Sequence, residues 1–233
     1  YYLPHRTGMQ LYIQRIAEEM ARRGHTVTVL CARHKPELTN DETVNGVRIV
    51  RLNVPPLAVS RGMIMPAYPW AAYQLMREHD VVNLHTPMAE TALLSILSSI
   101  TGTPVIPTHH GDLILPPGIA NRVIQGAMFA LYRFMAWRAP KVVGYTRDYA
   151  ENSYYLKPFL DKVEVIYPPI TMPEPNPDGA AKLRAEWQRD GGPLIGFAGR
   201  FVQEKRPDLL IRSLDVILEK YPNARIVFAG QYD

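Results

Sequence analysis

Phe197-Ala198-Gly199-Arg200-Phe201-Val202-Gln203-Glu204-Lys205-Arg206-Pro207 reads as a buried strand, a glycine turn, a basic loop and a helix start. Leu194 to Ala198 is an apolar run of strand length, Gly199 permits a sharp turn, and Pro207 suits the first turn of a helix. Arg200 and Lys205 flank the turn. With the free amides and the positive dipole end of the helix, they would form a seat for a doubly charged phosphate. A solvated basic loop between a strand and a helix fits the local pattern equally, and both readings stay open at this point.

Outward from this stretch, Asp208 to Lys220 has helical period, with Leu209, Leu210, Leu214, Ile217 and Leu218 on one side, and Arg225 to Ala229 is a further strand. Ala180 to Gln188 reads as a short helix. Upstream, Tyr167 to Pro177 carries Pro168, Pro169, Pro173, Pro175 and Pro177, a density that excludes helix and central strand, so it is expected to be an interdomain linker. The expected organisation is an N-terminal domain over 1–166, a linker over 167–178 and a second domain over 179–233.

In the N-terminal part the first helix carries Met9, Ile13, Ile16, Ala17 and Met20 on one face and is stopped by Gly24. Strands are expected at Thr26 to Cys31, Val47 to Leu52, Val81 to Leu84, Val105 to Thr108, Lys141 to Tyr145 and Val163 to Ile166. Asn45-Gly46 is a turn signal before the second of them. Pro66 to Arg77, Met88 to Ile100, Ile119 to Arg138 and Arg147 to Leu156 read as helices between them. This alternation is the signature of an α/β protein with doubly wound, Rossmann-like parallel sheets. Tyr1-Tyr2 stands where the first strand of such a domain would be giving way to a loop. The reading therefore expects a fragment, inactive alone, whose second domain breaks off early.

Composition limits the function class. The 233 residues are 47% hydrophobic and 21% charged, within the globular range. Cys31 is the single cysteine and sits in an apolar run, so no disulfide forms within the chain and a reducing, cytoplasmic setting is expected. No apolar run approaches membrane-spanning length. A net charge of +4 in scattered pairs such as Arg22-Arg23 suits an anionic small ligand or an acidic membrane surface. Nucleic acid is not expected, because no basic stripe interleaved with aromatics and no zinc-finger spacing occurs. Leu57, Val59, Met63, Ile64, Met65, Tyr68 and Trp70, with the helix from Ile119 to Trp137 and its Arg122 and Arg133, could form an interfacial surface. A core-facing helix with its covering loop is the favoured reading of these residues.

Six segments in this order carry a resemblance: Pro4-His5-Arg6-Thr7-Gly8-Met9, Arg22-Arg23-Gly24-His25-Thr26-Val27-Thr28-Val29-Leu30, Asp80-Val81-Val82-Asn83-Leu84-His85, Pro104-Val105-Ile106-Pro107-Thr108-His109-His110-Gly111, Val163-Glu164-Val165-Ile166-Tyr167-Pro168-Pro169-Ile170, and Gly196-Phe197-Ala198-Gly199-Arg200 with Glu204-Lys205-Arg206-Pro207. The chain resembles family 4 glycosyltransferases from end to end. The resemblance implies the GT-B architecture of two Rossmann-like domains, the first on the acceptor side and the second binding the nucleotide sugar. It implies transfer of a sugar from a nucleotide-diphosphate sugar, such as a UDP- or GDP-hexose, to an acceptor hydroxyl with retention. It also implies no metal and no cofactor beyond the co-substrate, and the chain contains no Asp-x-Asp. The acceptor is a lipid-linked molecule, a glycan or a small molecule, with a peripheral contact at the cytoplasmic membrane face as one setting.

By the same resemblance Gly8 and the Met9 amide lie against the donor phosphates, and Arg200 and Lys205, beside Gly199, neutralise the departing diphosphate. His110 is the catalytic-site histidine, with Gly111, Asp112, His85 and Thr146 as acceptor or supporting residues. His109 should face away from His110, so the pair is not expected to chelate one metal. The family's Asn-Gly after the Ile-Pro run is Pro168-Pro169 here, and its serine after the Val142-Val143 strand is Thr146 preceded by Tyr145. The family's two donor-side glutamates, seven residues apart, fall after Asp233 in register. Two other classes fit the architecture: a nucleotide-sugar epimerase and a non-catalytic glycan-binding relative. An NAD dehydrogenase fits poorly, since no G-x-G-x-x-G follows a strand.

Overall fold

The computed structural model describes all residues except Arg6, 55–57, 60, 61, 64, 171, 189 and 231–233, and the side chains of 58, 59, 62 and 63. The chain forms two compact units, Tyr1–Ile170 and Thr171–Asp233. The first contains α1 (Gly8–Arg22), β1 (Val27–Ala32), β2 (Asp41–Val44), β3 (Val47–Leu52), β4 (Ala58–Val59), β5 (Gly62–Met63), α2 (Tyr68–Glu78), β6 (Val82–Thr86), α3 (Thr91–Thr101), β7 (Val105–His109), α4 (Ile119–Arg138), β8 (Val142–Gly144), α5 (Arg147–Asn152) and β9 (Val163–Val165). The second contains α6 (Pro177–Trp187), β10 (Leu194–Ala198), α7 (Pro207–Arg212), α8 (Leu214–Lys220) and β11 (Arg225–Ala229).

Helix α1 ends as its sequence predicts. Gly24, at φ 91°, donates to the Ala21 carbonyl at 2.9 Å, and His25 donates to Met20 at 3.1 Å, a Schellman stop. Its inward face differs from the expected one. Gln10, Tyr12 and Ala17 are buried, whereas Met9 and Met20 stand in solvent. The aromatic Tyr12 takes the inward position because it packs against the ends of the strands described below.

The first unit holds two main sheets. One has the order β1-β3-β2, the other β6-β7-β8-β9, and the latter is parallel throughout. Among the described residues no strand joins β1 to β6. Tyr2 is buried beside Cys31, Val47 and Ile49, which makes Cys31 a small core residue. Strand β2, absent from the sequence reading, pairs antiparallel with β3 through Asn45-Gly46 at φ 51° and 80°. That dipeptide closes a two-residue hairpin loop, and the flanking charges of β2 had hidden the strand.

In the second sheet the apolar strands are covered by α2, α3 and α4, with Leu84, Leu94, Val105, Met135, Ala136 and Val142 in one core. Pro107 removes an amide donor from β7, a central strand, and only Thr108↔Val143 of the β7–β8 ladder is paired. The helix expected over Arg147 to Leu156 stops at Asn152, because Ser153 takes an extended conformation and accepts the Leu156 amide. At the far end of α4, Lys162 donates to the carbonyls of Ala136 (3.3 Å), Trp137 (2.5 Å) and Ala139 (3.1 Å), satisfying acceptors that no helical amide reaches. Only Tyr132, Met135 and Ala136 of α4 are buried. The favoured core-facing reading of this helix therefore holds for one narrow stripe.

In the second unit, β10 and β11 pair in parallel from Leu194↔Arg225 to Ala198↔Ala229. Pro177, expected inside the linker, is the first residue of α6, where a missing amide costs nothing, and the Asn176 side chain caps it at Gly179. The single helix expected after Pro207 is divided into α7 and α8 at Ser213, whose hydroxyl donates to the Leu210 carbonyl at 2.7 Å. Leu209 lies outward, 49% exposed, instead of on the inner side.

Arg51 ties the first sheet together. Its side chain is 1% exposed and reaches the carbonyls of Leu3 (2.9 Å) and Thr39 (3.1 Å) and the carboxylate of Glu42 (2.6 Å), which is itself 37% exposed. Arg51→Met is expected to lower unfolding free energy by ~2–3 kcal/mol, because it strips charged donors from two part-buried carbonyls and a carboxylate. Glu42→Gln should cost under ~1 kcal/mol, since its carboxylate is already partly solvated. Urea unfolding of the two variants checks the difference.

Candidate functional site

Strands β6 and β7 run parallel with Thr86 opposite His109, so their carboxyl ends carry His85, Thr86, His109 and His110 side by side. Alternation sends His109 and His110 to opposite sides. His109 is buried among Tyr132, Tyr149 and Tyr155, with ring centroids 5.3–6.0 Å away. Its Nε2 lies 2.9 Å from Asp112 Oδ1 and its Nδ1 lies 3.3 Å from the Thr86 hydroxyl. Burial lowers the pKa of His109 despite the carboxylate beside it. The ring is therefore neutral, donating from Nε2 and accepting at Nδ1.

Asp112 is an anchor for this side. Besides His109 it accepts from the Ser153 hydroxyl (2.6 Å) and the Tyr154 amide (2.7 Å), and its own amide donates to the Tyr149 hydroxyl (2.8 Å). Its carboxylate is consumed by these bonds. Thr146, exposed, caps α5 by accepting the Tyr149 amide at 3.1 Å. The Cβ position of Gly111 would meet Tyr149 Oη at 4.0 Å.

His110 faces the other way, into a row of polar rings. Its Nε2 is 2.9 Å from His85 Nδ1, and its Nδ1 is hydrogen-bonded to the Tyr145 hydroxyl. Tyr12 of α1 packs edge-on over both imidazoles, centroids 5.1 Å from His110 and 5.9 Å from His85, and tilts against Tyr145 at 5.5 Å. Burial, with each ring's neighbouring imidazole adding to it, pushes His85 down to about 3 and His110 down to about 4. Burial also raises the phenols of Tyr12 and Tyr145. At neutral pH the row is uncharged and made entirely of groups that both donate and accept.

Gly8 opens α1, one turn before Tyr12, and nothing lies within 4 Å of its Cβ position, so the space over the helix start is open. Met9 follows it, partly exposed. Arg15 of the same helix donates to the Pro169 carbonyl at 2.8 Å, fastening α1 to the end of the first unit. The sequence reading missed Tyr12 and treated Tyr145 only as a departure from a pattern. The signal for Tyr12 is its spacing of four residues from Gly8, which puts it over the strand ends.

In the second unit, Gly199 turns the chain out of β10 and donates to the Ala229 carbonyl at 2.9 Å. A Cβ on Gly230 would lie 1.8 Å from the Gly199 carbonyl oxygen, so a side chain there would displace the turn. Phe197, Phe201 and Phe228 cluster beneath it at 5.5–6.1 Å. Arg200 and Lys205 are exposed, Lys205 closing a 3-10 turn, while Arg206 at φ 50° pairs with Asp208 at 3.1 Å. Among the described residues no group of three or more His, Cys, Asp or Glu is placed to hold a metal, and no helix is long and apolar enough to cross a membrane.

A family model described as "Glycosyl transferase 4-like domain" matches residues 7–169. An uncharacterized glycosyltransferase of Methanocaldococcus jannaschii is 25% identical over 245 residues, covering 97% of this chain and 60% of that protein. A phosphatidyl-myo-inositol mannosyltransferase of Mycobacterium tuberculosis is 24% identical over 237 residues, covering 97% and 57%. The chain thus spans 57–60% of the length of these curated relatives. Among solved structures, Anabaena HepE in complex with UDP and glucose has a TM-score of 0.61 at 15% identity, over 97% of this chain and 58% of that one. HepE in complex with UDP has 0.57 at 14%, over 97% and 66%. The fold is α/β of the GT-B type.

The neutral row has a consequence for stability. An unfolded chain protonates its histidines near 6.5, whereas His85 and His110 stay neutral in the folded unit down to about 3 and about 4. Between pH 6.5 and about 4 the unfolded state therefore binds more protons, and stability falls as pH falls. The slope is up to about 1.4 kcal/mol per pH unit for each of the two imidazoles. The melting temperature is expected to be lower at pH 5 than at pH 7, and His85→Gln should flatten the dependence.

Proposed function

This chain belongs to the glycosyl transferase 4-like family, and from that premise we propose that the protein moves a sugar from a nucleotide-diphosphate sugar to an acceptor hydroxyl, with retention at the anomeric carbon. The observation that carries the reading is the neutral row of His110, His85 and Tyr145 at the carboxyl ends of β6, β7 and β8. Open α/β sheets place ligands at those ends, and uncharged donor–acceptor groups match sugar hydroxyls.

Gly8 and the Met9 amide leave room for backbone to approach a phosphate. Arg200 and Lys205, at the Gly199 turn, would balance the charge that grows on the departing diphosphate. Such stabilisation is larger in the transition state than in the bound ground state, so it accelerates the reaction. The proposal includes no metal and no cofactor, the nucleotide sugar being a co-substrate. The HepE complexes with UDP support a uridine nucleotide as the donor. In this reading Asp112 and Thr146 support the site through the loops they fasten. Buried, unpaired Cys31 supports a reducing cytoplasmic setting.

Calorimetry on the full-length protein tests the donor side. UDP or GDP should bind, and Arg200→Ala and Lys205→Ala should each weaken binding by about tenfold or more, the equivalent of one lost charge-assisted contact. Wild-type protein that binds neither nucleotide would turn the reading to a non-catalytic glycan-binding relative.

An acceptor at a lipid surface has its own support in α4. Ile119, Val123 and Trp137 are 87%, 67% and 64% exposed, Arg122, Arg133 and Arg138 flank them, and the helix has no acidic residue. Leu57, Ile64 and the side chains of Val59 and Met63, expected to share this surface, lie outside the described residues, and Tyr68, expected there too, is instead buried in the core. Flotation with anionic vesicles should carry the protein upward, and Trp137→Glu should abolish it.

A further inference from the structure

His110 has no ring nitrogen to spare. A neutral imidazole carries one N–H and one bare nitrogen. In His110 the Nε2 meets His85 Nδ1 at 2.9 Å and the Nδ1 meets the Tyr145 hydroxyl. A bound molecule therefore meets the row at one of its ends and not at its middle. The groups facing His110 are His85 from β6, Tyr12 from α1 and Tyr145 after β8, with His109 adjacent on the chain, and none of these carries charge at neutral pH.

The two directions of the row are not equivalent. If His85 Nδ1–H donates to His110 Nε2, then His110 carries its proton on Nδ1 and donates to the Tyr145 oxygen, which leaves the phenol O–H free to point outward. If every proton is reversed, the outward group is His85 Nε2–H. Tyr145 is half-buried, and Thr146 beside it is exposed. His85 is half-buried too, but it lies within β6 opposite Thr108, whereas Tyr145 lies past the end of β8. The accessible end of the row is Tyr145.

We propose that His85 and Tyr145 are positioning residues that hold His110 in one orientation and one tautomer, protonated on Nδ1, and that the Tyr145 hydroxyl is the group the row presents to a sugar hydroxyl. The sugar contact rests on the glycosyl-transfer reading, and the fixed tautomer does not. Tyr145→Phe deletes one hydroxyl while keeping the ring that packs on Tyr12 and His110.

Long-range nitrogen–proton NMR of the substrate-free protein tests the tautomer. Wild type should show His110 in the single Nδ1–H form, and Tyr145→Phe should convert it to a mixture or to the Nε2–H form. Unchanged imidazole resonances in Tyr145→Phe, or a wild-type His110 that exchanges between tautomers, would overturn the proposal. Binding of UDP and UDP-glucose to the full-length protein tests the outward group. Tyr145→Phe should leave UDP affinity within about twofold and weaken UDP-glucose about tenfold, with His85→Gln giving a smaller loss in the same direction. Equal affinities of wild type and Tyr145→Phe for UDP-glucose would remove the sugar contact. A protein with the NMR signature intact but no affinity for UDP, UDP-glucose or GDP would uphold the row and strike out the glycosyl-transfer reading.

Discussion

Two consecutive histidines at the end of a parallel strand cannot share a face, and the candidate site depends on that constraint. Alternation divides His109 from His110 and gives each a different solvent of side chains. His109 is sealed by three tyrosines and the Asp112 carboxylate, which makes it part of the scaffold. His110 is turned toward Tyr12, His85 and Tyr145. The β6–β7 register then sets the spacing of the imidazoles, since His85 stands opposite Thr108 and one step back from His109. Burial without a carboxylate partner leaves both His85 and His110 neutral, so the row offers hydrogen bonds and no charge.

The charged elements lie in the other unit, around a turn built for close approach. Gly230 brings its backbone against the Gly199 carbonyl where no Cβ fits, and three phenylalanines support the turn. Arg200 and Lys205 are presented from this turn on short, defined backbone. The residues singled out thus differ in kind: neutral hydrogen-bonding rings in the first unit and exposed cations in the second.

Much of the fold was legible because parallel strands read as apolar runs, as Val105 to Thr108 and Leu194 to Ala198 do, although only the first is largely buried and Gly196 and Ala198 of the second are exposed. Strand β2 was not legible, since Asp41-Glu42-Thr43-Val44 is an edge strand with no apolar run, and only Asn45-Gly46 announced it. Pro177 misled by its type, because a proline that forbids a helix interior suits a helix start. Among the candidate residues, His110, Gly8 and the Arg200–Lys205 pair stood out by position in their motifs. Tyr12 and Tyr145 did not, because a tyrosine on an amphipathic helix or after a strand reads as packing until its partners are known. Asp112 was visible, but its three acceptor bonds come from Ser153, Tyr154 and His109, a convergence that no local pattern encodes.

The capping of α4 by Lys162 reaches beyond electrostatics. The three carbonyls it satisfies lie 23 to 26 residues earlier in the chain, so the last turn of a 20-residue helix is completed by a residue that arrives with β9. Helix and strand are thereby joined into one cooperative unit: any local opening that lifts β9 away also frays the end of α4. In amide exchange the two segments would open together, and the order of events in folding would run from strand docking to helix completion.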